Sequence, residues 1–254
     1  MKTNELQAVY VMWLRQMKRF IRFKARIVTM IVQPFFFLVI LGSGFKQAMF
    51  PALGDVEYFS FLAPGIVAMA ILFSSMFTGV SVLWDKQFGF LQEVLVAPVS
   101  RLSIIIGRTL GGATTALIQG FIILFIAIFM GLSVVSWVGM ITAVAFMVLI
   151  SFTAVGFGLI FASKMNDFQS FSLIMNIIIM PLFFLSSAFF PVNQDKTFQT
   201  IAYLNPLFYM VDGLRGSLIG GANVLPIWIS FLIVLLICVF MMVLGSYLFS
   251  KSEV

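Results

Sequence analysis

Residues 109–163 read TLGGATTALIQGFIILFIAIFMGLSVVSWVGMITAVAFMVLISFTAVGFGLIFAS, without one Asp, Glu, Lys or Arg. A helix needs about 20 mostly apolar residues to cross the hydrocarbon of a bilayer, so this stretch holds two crossings. Gly131-Leu-Ser and Ser136-Trp137 mark the turn between them. Strands of a membrane β-barrel alternate in short segments of about ten residues. These runs are continuous, so the crossings are helical. Working outward, the other charge-free runs complete an all-α polytopic fold with six transmembrane helices, expected at 27–45, 59–84, 104–130, 137–163, 168–190 and 226–250. Gln33-Pro34 and Met180-Pro181 mark expected kinks, and Gly107-x-x-x-Gly111 permits close approach of a second helix.

Composition agrees. The chain is 62% hydrophobic and 9% charged, with a mean hydropathy of +1.14. Soluble domains carry about 25% charged residues, so a soluble globular reading is excluded. The position of the basic residues sets the orientation. With the N-terminus inside, the inner side holds twelve: Lys2, Arg15, Lys18, Arg19, Arg22, Lys24, Arg26, Lys86, Arg101, Arg108, Lys164 and Lys251. The outer side holds three: Lys46, Lys196 and Arg215. The expectation is a multi-pass protein of the cell membrane with both termini cytoplasmic, residues 251–254 forming a short inner tail. The first span exceeds a secretory h-region and lacks an A-x-A cleavage site, so no cleaved signal peptide is expected.

Residues 6–26 form an amphipathic helix within a cytoplasmic segment, 1–26. Leu6, Val9, Tyr10, Trp13, Leu14, Met17, Phe20 and Ile21 share one face, and Arg15, Lys18, Arg19, Arg22 and Arg26 the other, with Lys24 as the exception. Such a helix lies in the membrane interface, cations toward anionic headgroups. Burying Trp13 and Phe20 in lipid leaves no face for nucleic acid, so the net charge of +6 does not imply one. Between the second and third spans runs DKQFGFLQEVLVAPVSR, residues 85–101. Gly89 ends one helix, Pro98 stops a short second one, and Ser100 caps the third span. A short helix joined to two spans either passes motion from a soluble partner or lies passively on the surface. The external segment 191–225 is broken by Pro191, Asn205-Pro206 and Gly220-Gly221 yet stays apolar, which suits short helices dipping into the outer leaflet.

The spans lack titrating groups. Arg108 sits near enough to a helix end to snorkel, and Gln33, Gln119 and Asn176 suit interhelical hydrogen bonds. There is no histidine, and the single cysteine, Cys238, reads as a packing residue. Ion-coupled carriers need buried carboxylates, histidines or convergent polar groups. No P-loop is present: residues 42–46, Gly-Ser-Gly-Phe-Lys, lack its spacing and its following Ser or Thr. The chain binds no cofactor of its own by these signals, and energy for active work must come from another polypeptide.

Five pieces in order carry a family resemblance: Phe61-Leu-Ala-Pro-Gly-Ile66, Leu91-Gln-Glu-Val-Leu-Val-Ala-Pro-Val-Ser-Arg101, Gly107-Arg-Thr-Leu-Gly-Gly112 with Gln119, Ser186-Ser-Ala-Phe-Phe-Pro191, and Asn205-Pro206. Together they resemble the permease subunits of type-2 ABC exporters (ABC-2), nearest the daunorubicin-resistance and nodulation-factor branch. The resemblance spans about residues 55–215. It implies two permease subunits, here a homodimer, and two copies of a cytosolic ABC ATPase that binds ATP and Mg. It makes the N-terminal helix a connecting helix and residues 87–97 a coupling helix. Gln87, Phe88, Phe90, Leu91, Glu93, Val94 and Arg101 would meet the ATPase, with Glu93 the leading polar contact and Lys164 and Asp167 a second one. Re-entrant helices after Pro191, with Asn205 and Pro206, would form the exit gate.

The resulting expectation is a non-catalytic permease exporting drug-like, lipid or glycolipid substrates. Two other classes stand against it. A lipid-modifying membrane enzyme would gather carboxylates or histidines for a metal or a proton, and the nine acidic residues are dispersed. A passive channel or scaffold would need no ATPase, so co-purification of one separates it from a permease.

Overall fold

The computed structural model describes residues 2–45, 53–54, 56–90, 99–165, 167–192 and 196–251, and among them every regular element is a helix. In chain order these are α1 (Lys2–Arg22), α2 (Lys24–Gly44), α3 (Tyr58–Gln87), α4 (Arg101–Phe129), α5 (Trp137–Lys164), α6 (Phe168–Phe184), α7 (Lys196–Leu204), α8 (Pro206–Ile219) and α9 (Ile227–Lys251). Five are long and apolar enough to cross a membrane: α2 from Ile27, α3, α4, α5 and α9. The stretch expected as the fifth span, 168–190, is helical only to Phe184. At 17 residues α6 reaches about 25 Å, short of a full hydrocarbon core. It ends in a turn in which Ser187 takes φ +64, the left-handed region that non-glycine residues avoid.

The helix ends follow local chemistry. Ser100, Ser136, Asp167 and Asn205 each accept a hydrogen bond from a backbone N–H of the helix they precede, at Ser103, Gly139, Ser170 and Leu207 respectively. Lys86 Nζ donates to the carbonyls of Ala162 and Ser163, placing a cation at the C-terminal end of α5.

α3 is the central post. It packs on α2, α4, α5, α6 and α8, and most of its length is buried. By contrast α9 turns Trp228, Leu232, Leu236, Phe240 and Val243 outward. Apolar rows of that kind need lipid around them. Cys238 lies on the buried side of α9.

The N-terminal helix packs one side against the bundle. Met12, Gln16, Met17 and Phe20 are buried, whereas Leu6, Tyr10 and Ile21 from the expected apolar face are exposed. The glycine pair of α4 explains this. A Cβ at Gly107 would stand 2.7 Å from Met12 Cβ, and one at Gly111 2.6 Å from Gln16 Cβ. Without side chains there, α1 packs closely along α4 and its side chains reach α3. Trp13 Nε1 then donates to Thr114 Oγ1 (3.1 Å), and Gln16 Nε2 to Ser81 Oγ (3.0 Å). Gly111→Val is expected to lift α1 off α4 at a cost of about 1–3 kcal/mol, read as a lower melting temperature in detergent.

At the start of α1, Glu5 accepts hydrogen bonds from Ser103 Oγ, Ser100 Oγ and Ser100 N. The Ser103 and Ser100 hydroxyls hold its carboxyl below its ordinary value of 4.5. A lowered folded value stabilises fully above the ordinary one and is lost as the pH falls through it. The first turn of α1 is therefore expected to begin loosening below pH 4.5. Amide exchange at residues 5–9 would rise in acid in the native chain and be fast at every pH in Glu5→Ala.

Candidate functional site

Where α1 crosses α3 and α4, one carboxylate gathers three guanidinium groups. Asp85, in the last turn of α3, is 3% exposed and receives Arg15 on both oxygens, Nη1 to Oδ2 at 2.9 Å and Nη2 to Oδ1 at 2.7 Å. Arg108 Nη2 lies 2.7 Å from Oδ2, and Arg19 Nη1 3.6 Å from Oδ1. Arg108 is wholly buried. This corrects the expectation that it snorkels to the surface. α3 runs on to Gln87, past its expected end at residue 84, so Asp85 lies inside the bundle beside Arg108, and α1 covers both. Arg15 also stacks over Phe90 (3.7 Å) and Arg19 over Trp84 (5.2 Å).

At the opposite end of the bundle a second arginine is enclosed. Arg215 of α8 donates through Nε to the Phe61 carbonyl (3.1 Å), through Nη1 to Ser187 Oγ (2.8 Å) and through Nη2 to Ser187 O (2.6 Å), with Phe61 stacked 3.6 Å below. These bonds hold Ser187 in its left-handed conformation. The turn they fix lies against α3: Tyr58 donates to the Phe189 carbonyl, and a Cβ on Gly65 would stand 2.6 Å from the Ala188 oxygen. The segments 61–66 and 186–191 thus form one joint. Asp212, also fully buried, accepts from the backbone N–H groups of Val224 and Leu225 and pins the chain after α8.

Between these ends, α2, α3 and α6 border a cavity of about 480 Å³ that is open along one edge. Met69, Phe73, Phe77, Trp84, Phe171 and Met175 give it an apolar wall, and Gln33, Ser74, Ser172 and Asn176 add a few polar groups. Gln33 and Asn176, expected to tie helices together, thus line the cavity. Gln119 has neither amide atom hydrogen-bonded among the described residues, although it is fully buried.

A family model described as ABC-2 type transporter matches residues 7–219. The chain belongs to the ABC-2 type transporter family. Among its relatives, the inner membrane transport permease YadH of Escherichia coli K12 is 28% identical over 88% of this chain and 87% of its own length. A transport permease, ycf38, of Cyanophora paradoxa is 29% identical over 77% of this chain and 70% of its own. Nodulation protein J of Rhizobium leguminosarum bv. trifolii is 26% identical over 75% and 72%. The chain is thus a multi-pass membrane protein of a transport permease family.

In this ABC-2 chain the residues expected to contact an ATPase fall in several places. Leu91, Glu93 and Val94 lie outside the described residues. Gln87 and Phe88 are exposed at the end of α3, Phe88 at 82%, and Phe90 lies under Arg15. Arg101 turns toward α9, donating from Nη1 to the Ser250 carbonyl (2.6 Å). Lys164 and Asp167 are both exposed at the α5–α6 turn, with Asp167 capping α6. At the other end, Pro191 and Asn205 are buried and Pro206 opens α8. The Asn205 amide also donates to the Leu182 carbonyl, joining α8 to α6.

Sequence reasoning missed both arginine clusters. The one available signal was Asp85 itself, a lone acid at the end of an apolar run among many cations. Asp85→Asn leaves the buried Arg108 without a counter-charge, and the half-buried Arg15 and Arg19 with it, an expected loss of about 3–5 kcal/mol, seen as little folded protein recovered from membranes. Adding Arg108→Met to that variant is expected to restore much of the yield.

Proposed function

We propose that this chain is the permease half of an ATP-driven exporter, acting as a homodimer in the cell membrane with two copies of a cytosolic ABC ATPase. α6 with its following turn supplies the sixth crossing, the termini are cytoplasmic, and α7 and α8 are the re-entrant helices capping the exit. The observation that carries this reading is the apolar cavity formed by α2, α3 and α6. Phenylalanine and methionine walls accept apolar shapes with little directional demand, which suits a lipophilic or amphipathic cargo of drug, lipid or glycolipid type. The names transport permease and nodulation protein borne by relatives support the same class.

Coupling follows from the connections. Residues 87–97 follow α3 in the sequence, and α3 forms one wall of the cavity. An ATPase closing its nucleotide sites, where ATP and Mg are held, would push on this segment, with Glu93 as the leading contact, Arg101 as a further one from the start of α4, and the Lys164–Asp167 turn as a second contact. Asp85 and the Gly107–Gly111 groove clamp α1, α3 and α4 together, so the push moves them as one block against α6. Substrate held between α2, α3 and α6 would leave through the joint fixed by Arg215, near Pro191, Asn205 and Pro206.

Proteoliposomes containing the chain and its ATPase test this. ATP-dependent export of a lipophilic dye is expected, and Asn176→Trp, which fills the cavity from its exposed edge, should reduce it by about tenfold, equivalent to a steric cost of about 1–3 kcal/mol. Glu93→Arg should uncouple ATP hydrolysis from export while leaving membrane insertion intact. Uphill transport by the chain alone, driven by an ion gradient, would refute the reading.

A further inference from the structure

A second, more open hollow adjoins the cavity and carries a row of cations. About 450 Å³ is bounded by Leu14, Arg15, Lys18, Arg19, Arg22 and Phe23 along α1. Phe23, at the break between α1 and α2, lines both spaces. Trp84 links them again, since its ring forms cavity wall on α3 and carries the Arg19 guanidinium. The row of cations therefore ends where the apolar wall begins.

Charge in this corner is unbalanced among the described residues. Among the described residues, Asp85 is the one carboxylate paired with the cluster, against Arg15, Arg19 and Arg108. Arg15 is taken up by its two-pronged bond to Asp85. Arg19 Nη1 is buried without a hydrogen-bond partner. Lys18 and Arg22 are exposed and in no ion pair among the described residues. A surplus of positive charge beside an apolar hole selects a molecule that is anionic at one end and greasy at the other, because guanidinium groups favour phosphate-like oxygens.

We propose that the two hollows bind one anionic amphiphile, its phosphate or similar headgroup on Lys18, Arg19 and Arg22 and its tail along Phe73, Phe77 and Met175. This rests on reading the cavity as the substrate space of the permease, and it narrows the substrate class to acidic lipids. A free anion would satisfy the cations but leave the apolar cavity empty. A zwitterionic lipid would fill the cavity but bring a compensating positive charge against the arginines.

Binding to the purified full-length chain in detergent, without ATPase, tests this with fluorescent phosphatidylglycerol and phosphatidylcholine carrying identical tails. Phosphatidylglycerol is expected to bind the tighter. The Lys18→Gln/Arg22→Gln variant should lose about thirtyfold of that affinity with phosphatidylcholine binding unchanged, which also reports an intact fold. Asn176→Trp should weaken both lipids alike. Equal affinity for the two lipids, an unaffected preference in the double variant, undiminished binding in Asn176→Trp, or full displacement by inorganic phosphate would each overturn the proposal. A chain that binds acidic lipid as described but fails to export with ATPase and ATP would refute the export reading and leave this one standing. Export without acidic-lipid preference would do the reverse.

Discussion

Charge buried in an apolar bundle is costly unless it is paired and hydrogen-bonded, and Asp85 meets that demand by drawing three helices together. Arg15 comes from α1, Arg108 from α4, and Asp85 itself from α3. Lipid surrounds most of this protein, so burying apolar surface gives little preference for one helix arrangement over another. A buried carboxylate has few acceptable surroundings. It fixes the rotation of α3, the depth of α1 and the register of α4, and the shape of the cavity follows from those.

The same principle holds at the far end with different chemistry. Arg215 has no carboxylate within ion-pair distance among the described residues; it is satisfied by carbonyls and a hydroxyl, and by the face of Phe61. Three hydrogen bonds from one planar group hold the turn after α6 against the start of α3. A turn fixed by hydrogen bonds to neutral groups can rearrange at lower cost than one fixed by a buried ion pair. The bundle is thus locked by charge at the end carrying α1 and held by a polar joint at the other. On the proposed function, that asymmetry suits a device driven at one end and opened at the other.

Small residues do the complementary work. Gly107 and Gly111 let α1 approach α4, and Gly79 meets Gly158 where α3 crosses α5. Close backbone contact replaces the hydrophobic drive that lipid removes. It also lets α3 touch several partners at once, the cavity wall among them.

The sequence by itself determined the helices and their environment, because runs such as 109–163 are long, apolar and uncharged, and their capping residues Ser100, Ser136, Asp167 and Asn205 stand next to the helices they start. It showed the absence of a nucleotide loop, and its motifs pointed to the ABC-2 family. Only the tertiary structure decided where the charges go. Arg108 read as a snorkelling cation and Arg215 as one more external charge, and both proved to be enclosed; Arg15 and Arg19 shared the polar face of an interfacial helix and proved to reach Asp85. Periodicity reports which way a side chain points from its own helix, but whether water, lipid or a carboxylate waits there depends on helices distant in the chain. Asp85 and Arg15 are 70 residues apart, and nothing local to either specifies the other.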